Sequence, residues 1–489
     1  MSTTVAKKSE NTITTKEILL IAGLEGFATL AVEILVLRLA IPVVWSSIVL
    51  TSVFLGIILL ALSAGYYVWW RRAERLTSKS IIQVMAVLLW GSALRYWLIT
   101  FALEQQTIAL LLQMTWSYMR TLFLAAMLLC FVPVFSASQA VPLLTQLIPI
   151  SSKWRSAGTL LFVSTIGSFV WSIGTSSLLL PIYGVHVTGC IVVWVLFVCV
   201  LILLVRQRLW RRVGLTSVGM GALIVHAYYG APTLPGTRFV QETSYQEIRI
   251  IDYTIEGESV RVFHTNMAFA SWIWIASRKS PFGYIREMAA AAELRQPKKI
   301  LVVGAAWFTL PYELAKLSYV EQIDVIDIDP AVKPIAEQYF LEEPLSPKIT
   351  FIPRSARYAL QLLSGERTTY DMIFLDAYNG KSIPEELTTV EFFDQVNHVL
   401  APQGSVVANM ILDRARSSTY AQTLFATRWH VRWSPWVYDA SDASWWKLIN
   451  TIVSNTQMTP AYEQRTSAAT VATDDKRTTD VDGVAMYRF

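Results

Sequence analysis

The chain carries few charges for its length: 16% of its 489 residues are Asp, Glu, Lys or Arg, while 54% are hydrophobic. That balance excludes a chain bathed in water along its whole length. Only three cysteines occur, Cys130, Cys190 and Cys199, all inside apolar runs. A disulfide framework or a cysteine-based metal site is thereby excluded from the polar C-terminal half. The five histidines are scattered without ligand spacing, so no structural metal is expected. Lys and Arg (41) barely exceed Asp and Glu (36), and many of the basic residues flank apolar runs. This is no nucleic-acid-binding signature. Met1–Lys16 is polar and the first apolar run is too long for the core of a signal peptide, so that run reads as a retained first span.

What is present divides sharply. The sequence predicts a polar N-terminal tail over 1–17 and an α-helical polytopic membrane domain over 18–230. A linker and β-hairpin follow over 231–280, an α/β Rossmann-like domain of class I methyltransferase type over 281–455, and a tail over 456–489. A bilayer core needs about 20 apolar residues per helix. Spans are expected near Ile18–Ile41, Val43–Trp70, Ser80–Ala102, Thr121–Val141, Ala157–Leu180, Val185–Val205 and Val213–Tyr229. Several tryptophans, among them Trp45, Trp69, Trp97 and Trp116, stand near span ends, as interfacial belts do. Basic residues cluster before span one and after spans two, four and six, whereas Glu104–Gln106 and Tyr183–Val187 carry no Lys or Arg. The positive-inside rule then places the N-terminus in the cytoplasm of a cell whose inner membrane holds the chain. Six spans leave the C-terminal half cytoplasmic and seven put it outside. The short, glycine-bearing last segment leaves both open. Glu25, Glu33, Arg38, Arg95 and Arg120 sit in or beside spans, either as ion pairs between helices or on a ligand or ion pathway.

Beyond Thr233–Thr237, Tyr245–Tyr253 and Ser259–His264 read as a hairpin around Glu256-Gly257, and Pro281–Leu294 as a helix. From Lys299 short apolar strands alternate with helices: strands at Lys299–Gly304, Gln322–Ile328, Ile349–Pro353, Met372–Asp376 and Ser405–Met410, with further candidates at Val431–Tyr438 and Lys447–Val453. Such alternation builds a parallel sheet covered on both faces, and such sheets bind ligands at the carboxyl ends of their strands. Three ends therefore carry the candidate chemistry. They are Gly304 with Ala305-Ala306-Trp307-Phe308, Asp327-Ile328-Asp329-Pro330, and Asp376-Ala377-Tyr378-Asn379-Gly380.

At these residues the chain resembles the spermidine/spermine synthase (aminopropyltransferase) family, and within it the membrane-embedded bacterial branch that fuses transmembrane helices to the synthase-like domain. Tyr245-Gln246-Glu247-Ile248 is similar to the motif of the family's N-terminal hairpin. Tyr284 and Met288 resemble its substrate-covering helix. Asp376-Ala377-Tyr378 with Ser382-Ile383-Pro384 resembles the catalytic loop, and Thr473-Asp474-Asp475 the closing motif. Gly158, Gly167, Gly174, Pro181 and Gly184 resemble the branch's fifth span. The resemblance implies decarboxylated S-adenosylmethionine as co-substrate, a diamine as acceptor, no metal and the bilayer as surroundings. It leaves a homodimer open. It also implies roles: Asp376 as catalytic base, Asp327 as the acid gripping ribose, Gln246, Tyr245 and Gly304 beside the nucleoside, and Tyr284 and Tyr378 beside the substrate.

The departures from the family pattern fall in the same places. The glycine run after strand one is reduced to Gly304, with Trp307 and Phe308 in the turn. Ser355, Asn379 and Ala270 stand where the family carries an Asp, a second acid and a glutamine, and Lys381 adds a positive charge. Asp327 and Asp329 could equally be a strand end and a helix cap, Asp376 a turn cap, and Trp307 and Phe308 core filling. Three readings follow. The chain is an aminopropyltransferase or a related S-adenosylmethionine-dependent methyltransferase, an inactive pseudoenzyme serving as sensor or scaffold, or a helical transporter-like block with an appended domain.

Overall fold

The computed structural model describes residues 13–44, 48–73, 75–98, 118–148, 153–229, 234–255, 257–265, 268–378, 383–413, 430–433, 448–454 and 463–464. Trp45, the expected loop at 104–106, Trp116, Glu256, residues 379–382 and the Thr-Asp-Asp motif at 473–475 lie outside the described residues. The chain forms two compact units, Met1–Pro232 and Thr233–Phe489.

The first unit is helical throughout its described residues: α1 (Thr15–Val44), α2 (Ile48–Ala73), α3 (Ser78–Trp97), α4 (Tyr118–Ala126), α5 (Val132–Ser138), α6 (Ala140–Gln146), α7 (Lys153–Gly174), α8 (Leu180–Arg206) and α9 (Trp210–Tyr229). These helices overlap the expected spans in sequence position, with the expected fourth span divided among α4, α5 and α6. Helix α4 runs into α5 through a π-helical turn, Met127–Phe131, just ahead of Pro133. A second π turn, Thr175–Leu179, joins α7 to α8. The fifth and sixth expected spans form one helical run, broken at Gly184, whose φ of +73° lies outside helical space. Four stretches are long and apolar enough to cross a membrane: Thr15–Arg38, Thr51–Trp69, Phe123–Gln146 and Ala157–Arg206. Helices α1 and α7 touch backbone to backbone, because a Cβ at Gly26 would overlap the Ser164 carbonyl and one at Gly167 the Gly23 carbonyl. Glycine at these positions permits the close approach, since any side chain there would meet the facing backbone. The outer faces remain apolar, with Leu59, Phe162, Phe169, Ile182 and Tyr228 exposed.

The second unit opens with an antiparallel sheet, β1 (Thr237–Glu242), β2 (Glu247–Ile255), β3 (Glu258–Thr265) and β4 (Ala268–Trp274), in order β1-β2-β3-β4. The expected hairpin is its central pair; the two outer strands extend that expectation to four. Helix α10 (Gly283–Arg295) leads to the main sheet. Its strands are β5 (Lys299–Val303), β6 (Gln322–Asp327), β7 (Ile349–Pro353), β8 (Tyr370–Leu375), β9 (Leu400–Asp413), β10 (His430–Trp433), β11 (Leu448–Ser454) and β12 (Glu463–Gln464), in spatial order β12-β10-β11-β9-β8-β5-β6-β7. Strands β7, β6, β5, β8 and β9 run parallel, while β11, β10 and β12 continue antiparallel. Helices α11 (Thr309–Ala315), α12 (Val332–Ile335), α13 (Ala356–Gly365) and α14 (Val390–His398) fill the connections.

Side chains alternate across a strand, so each central strand feeds two cores. Ile300, Val302, Val325, Met372 and Phe374 enter one, together with α10, Trp307 and Phe308. Leu301, Val303, Ile326, Ile373 and Leu375 enter the other, beneath α13 and α14. Chain direction reverses its progress across the sheet between β5 and β8. The carboxyl ends of β8, β5 and β6 therefore sit side by side at the crevice where such folds bind ligands.

Candidate active site

Backbone contacts first lock the three strand ends together. Gly304 N–H donates to the Ile326 carbonyl at 2.8 Å, and Asp376 N–H donates to the Val303 carbonyl at 2.8 Å. Gly304 has φ +90°, and a Cβ there would overlap the Asp376 carbonyl and the Ala377 backbone. Glycine is thus demanded by both conformation and close approach.

Asp327 staples two of these ends. Its Oδ2 accepts the Ala305 N–H at 3.0 Å and its Oδ1 the Asp329 N–H at 3.0 Å. Dense protein surroundings push its carboxyl up to about 6, against the pull of those backbone donors, with neighbouring Asp329 adding to the rise. Asp329 is buried and serves structure. Its Oδ1 accepts the Ala331 N–H at 3.1 Å, as the capping expectation has it. Its Oδ2 accepts Thr243 Oγ1 at 2.7 Å and Gln246 Nε2 at 3.0 Å. Gln246 is thereby held beside the β6 end, while Tyr245 next to it is largely exposed.

Asp376 lies one residue beyond β8, 6% exposed. Asn409 of β9 donates Nδ2–H to its Oδ1 at 2.8 Å, and Oδ2 has no hydrogen-bond partner among the described residues. The Tyr284 hydroxyl, from the first turn of α10, faces the same carboxyl, near enough to favour its ionised form but outside hydrogen-bonding geometry. Burial pushes the Asp376 carboxyl up to about 6, moderated by Asn409 and Tyr284. The Tyr284 phenol is itself held well above its ordinary range, chiefly by burial and then by the charges of Asp376 and Tyr378. Tyr378 donates its hydroxyl to the Asn409 carbonyl at 2.9 Å. Of the residues expected at the site, Asp376, Tyr284 and Tyr378 converge on one spot, with Gly304 against the Asp376 backbone. Asp327 and Gln246 form a neighbouring cluster at β6. Asn409 was not expected; its only signal is one amide within the apolar run Val406-Val407-Ala408. Ser355 lies exposed one strand farther out, past β7.

The turn after β5 departs from a glycine loop in composition but not in backbone. Trp307 (φ +55°) and Phe308 (φ +62°) both adopt the left-handed conformation that glycine takes without penalty. Packing holds them there. Trp307 stacks on Phe263 of β3 with ring centroids 3.3 Å apart, and Phe308 meets Phe351 edge-on at 5.6 Å. Among the described residues no group of three or more His, Cys, Asp or Glu forms a metal cage.

Fold and strand-end acids together define a Rossmann-like α/β domain. In comparison with known proteins, residues 283–422 match the spermine/spermidine synthase domain. The chain carries such a domain, as the motifs implied. A polyamine aminopropyltransferase of Vibrio vulnificus is 38% identical over 130 residues, which is 26% of this chain and 43% of that protein. Spermidine synthase 2 of Arabidopsis thaliana is 33% identical over 116 residues, 23% of this chain and 34% of that protein. The chain thus spans less than half the length of these curated relatives. Among solved structures, a probable spermidine synthase from Corynebacterium glutamicum is similar over 50% of this chain and 97% of that one, at 18% identity and TM-score 0.38. A spermidine synthase in complex with the transition-state analogue AdoDATO aligns over 49% of this chain and 82% of that one, at 15% identity and TM-score 0.37.

Proposed function

We propose that this chain is a membrane-bound aminopropyltransferase of the bacterial membrane-embedded branch, using decarboxylated S-adenosylmethionine and a diamine. The observation that carries the reading is Asp376, a buried carboxylate with one oxygen fixed by Asn409 and the other unengaged. In the reaction a C–N bond forms as the amine nitrogen displaces sulfur. The C–S electron pair leaves with methylthioadenosine, and one proton must leave the nitrogen. A carboxyl raised to about 6 is ionised at neutral pH yet basic enough to take that proton. Asp376 Oδ2 receives it, Tyr284 and Tyr378 bound the amine, and Asn409 keeps the carboxylate aimed. The amine side of the site fits this chemistry. On the donor side Asp327 accepts the Ala305 and Asp329 N–H groups and, as a carboxylate with about four acceptor positions, keeps capacity for a ribose hydroxyl. The four apolar stretches and the lipid-like outer faces support an integral inner-membrane protein.

One observation favours a second reading. Trp307, stacked on Phe263, fills the turn through which a nucleoside would approach the backbone, as expected of a pseudoenzyme that keeps the fold as a sensor or scaffold. Calorimetry on the full-length protein in detergent tests both, with decarboxylated S-adenosylmethionine, methylthioadenosine and S-adenosylmethionine as ligands. Binding of the first two that Asp327→Ala abolishes supports aminopropyl transfer. Preference for S-adenosylmethionine redirects the reading to methyl transfer. No binding near millimolar ligand by folded protein supports the pseudoenzyme.

A further inference from the structure

We propose that the helical unit binds a sodium ion where α1 meets α7, on the carboxylate of Glu25 and the hydroxyls of Thr29 and Ser164. Glu25 stands near the middle of the apolar stretch Thr15–Arg38 and is 1% exposed. The sequence admits two uses for it, an ion pair between helices or a place on an ion pathway. Among the described residues its side-chain partners are hydroxyls, not Lys or Arg. Thr29, one turn on, brings Oγ1 to its Oε1 at 3.0 Å, and Ser164 of α7 brings Oγ to its Oε2 at 3.4 Å. All three residues are buried. Two neutral hydroxyls do not offset a full charge in apolar surroundings, so an ionised Glu25 calls for a cation.

The spacing selects that cation. Sodium has nearly the radius of calcium and takes oxygens at about 2.4 Å, which sets neighbouring ligands about 3.4 Å apart. The two gaps to Glu25, 3.0 and 3.4 Å, already have that scale. Each hydroxyl has lone pairs for the ion and, on its own helix, a carbonyl one turn back to take its hydrogen.

The backbone fixes that spacing. A Cβ at Gly26 would lie 2.1 Å from the Ser164 carbonyl, and one at Gly167 2.3 Å from the Gly23 carbonyl. Ser168 Oγ also donates to the Gly26 carbonyl at 2.8 Å. The two helices thus meet backbone to backbone on either side of Glu25, and a larger ion would have to part them. A divalent ion asks for more negative charge than one carboxylate supplies. The described residues hold no group of three or more His, Cys, Asp or Glu that could supply it. The site is independent of the aminopropyl transfer proposed for the other unit.

Equilibrium binding of radiolabelled sodium to the full-length protein in phosphatidylcholine nanodiscs, at mildly alkaline pH where protons compete least, tests this. One saturable site per chain is expected, lost in Glu25→Gln, which keeps the shape and removes the charge. Thr29→Val, which deletes one oxygen, should weaken it about tenfold. A second readout needs no variant. Dicyclohexylcarbodiimide modifies protonated carboxyls in apolar surroundings, and peptide mass mapping gives its rate at Glu25. Saturating sodium should slow that rate about tenfold or more by mass action, and choline at equal ionic strength should not. Absence of a saturable sodium site, or a site that survives Glu25→Gln, overturns the inference and leaves Glu25 a neutral acid satisfied by its hydroxyls. Should Glu25→Gln fail to fold, the parent chain decides: equal modification in sodium and choline rejects the site. Neither result bears on the catalytic reading, which stands or falls on nucleoside binding.

Discussion

The Asn409 amide donates to Asp376 Oδ1 at 2.8 Å, tying the end of β8 to the strand beside it and leaving the second carboxylate oxygen of Asp376 unengaged. A hydrogen bond to the charged form favours that form, so Asn409 lowers a carboxyl that burial raises to about 6. If Asp376 is the base, turnover should rise with pH through about 6 and level off. Asp376→Asn should abolish that limb and cost about 10²- to 10⁴-fold in kcat. Asn409→Leu should keep turnover but move the limb to higher pH, because the charged form loses its donor. A pH–rate profile of each variant checks this; an unmoved limb in Asn409→Leu would remove the positioning role.

Gly304→Ala is expected to damage the same site from the other side. The added methyl meets the Asp376 carbonyl and the Ala377 backbone, and φ +90° is strained for alanine. Neither strand end can retreat, since each is hydrogen-bonded into the sheet. A loss of stability of about 2–4 kcal/mol is expected, combining backbone strain with overpacking. Alanine at Gly365, where a Cβ meets nothing, is the control.

The parallel core was legible because β5, β6, β7 and β8 are short apolar runs separated by helical stretches, a pattern set by burial on both faces. The acids at the strand ends were legible for the same reason, since polarity resumes where the sheet stops. The outer strands β1 and β4 were not. Thr237–Glu242 alternates half-buried and exposed residues directly after a Pro-Gly turn, and resembles linker. Asn409 was hidden because one amide inside an apolar strand carries no period. Nor does sequence show that Trp307 and Phe308 take glycine's conformation, which depends on packing against Phe263 and Phe351.

Arg261 is 1% exposed and clamps the small sheet to the segment after α12. It donates to both oxygens of Asp252 at 2.7 and 3.0 Å, pairs with Glu342 at 3.0 Å, and reaches the Tyr339 and Phe340 carbonyls. Arg261→Met leaves Asp252 and Glu342 to Arg238 alone and strands the two carbonyls, and should cost about 1–3 kcal/mol. Lys298→Ala, which breaks an exposed pair with Glu321, should leave stability unchanged. Denaturant midpoints of the full-length variants compare the two.

Asp327 and Asp376 both carry carboxyls raised to about 6 from an ordinary 3.8. Between about pH 4 and pH 6 the folded domain therefore keeps protons that the unfolded chain has released. Stability from these two groups falls as pH rises through that window and is flat above it. Asp252 works oppositely: burial raises its carboxyl, but Arg261 and Arg238 outweigh that and hold it below 3.8, so its contribution is lost only at lower pH. Hydrogen exchange at the amides of β5, β6 and β8 should slow on going from pH 6.5 to 4.5, after correction for intrinsic rates. Asp327→Asn with Asp376→Asn should remove the effect.

Trp307→Gly separates packing from conformation. Removing the indole from its stack on Phe263 should cost about 3–5 kcal/mol, the usual loss for a large buried aromatic. Glycine at φ +55° returns on the order of 1 kcal/mol of backbone strain, so the net loss should be about 2–4 kcal/mol. The variant also reopens the turn between Gly304 and Asp327. If Trp307 obstructs the donor pocket, methylthioadenosine should bind Trp307→Gly at least tenfold more tightly than the parent chain, despite the lower stability. If Trp307 is only core, affinity should fall with stability. Denaturation and calorimetry on the same preparation distinguish the two, because only obstruction lets stability and affinity move in opposite directions.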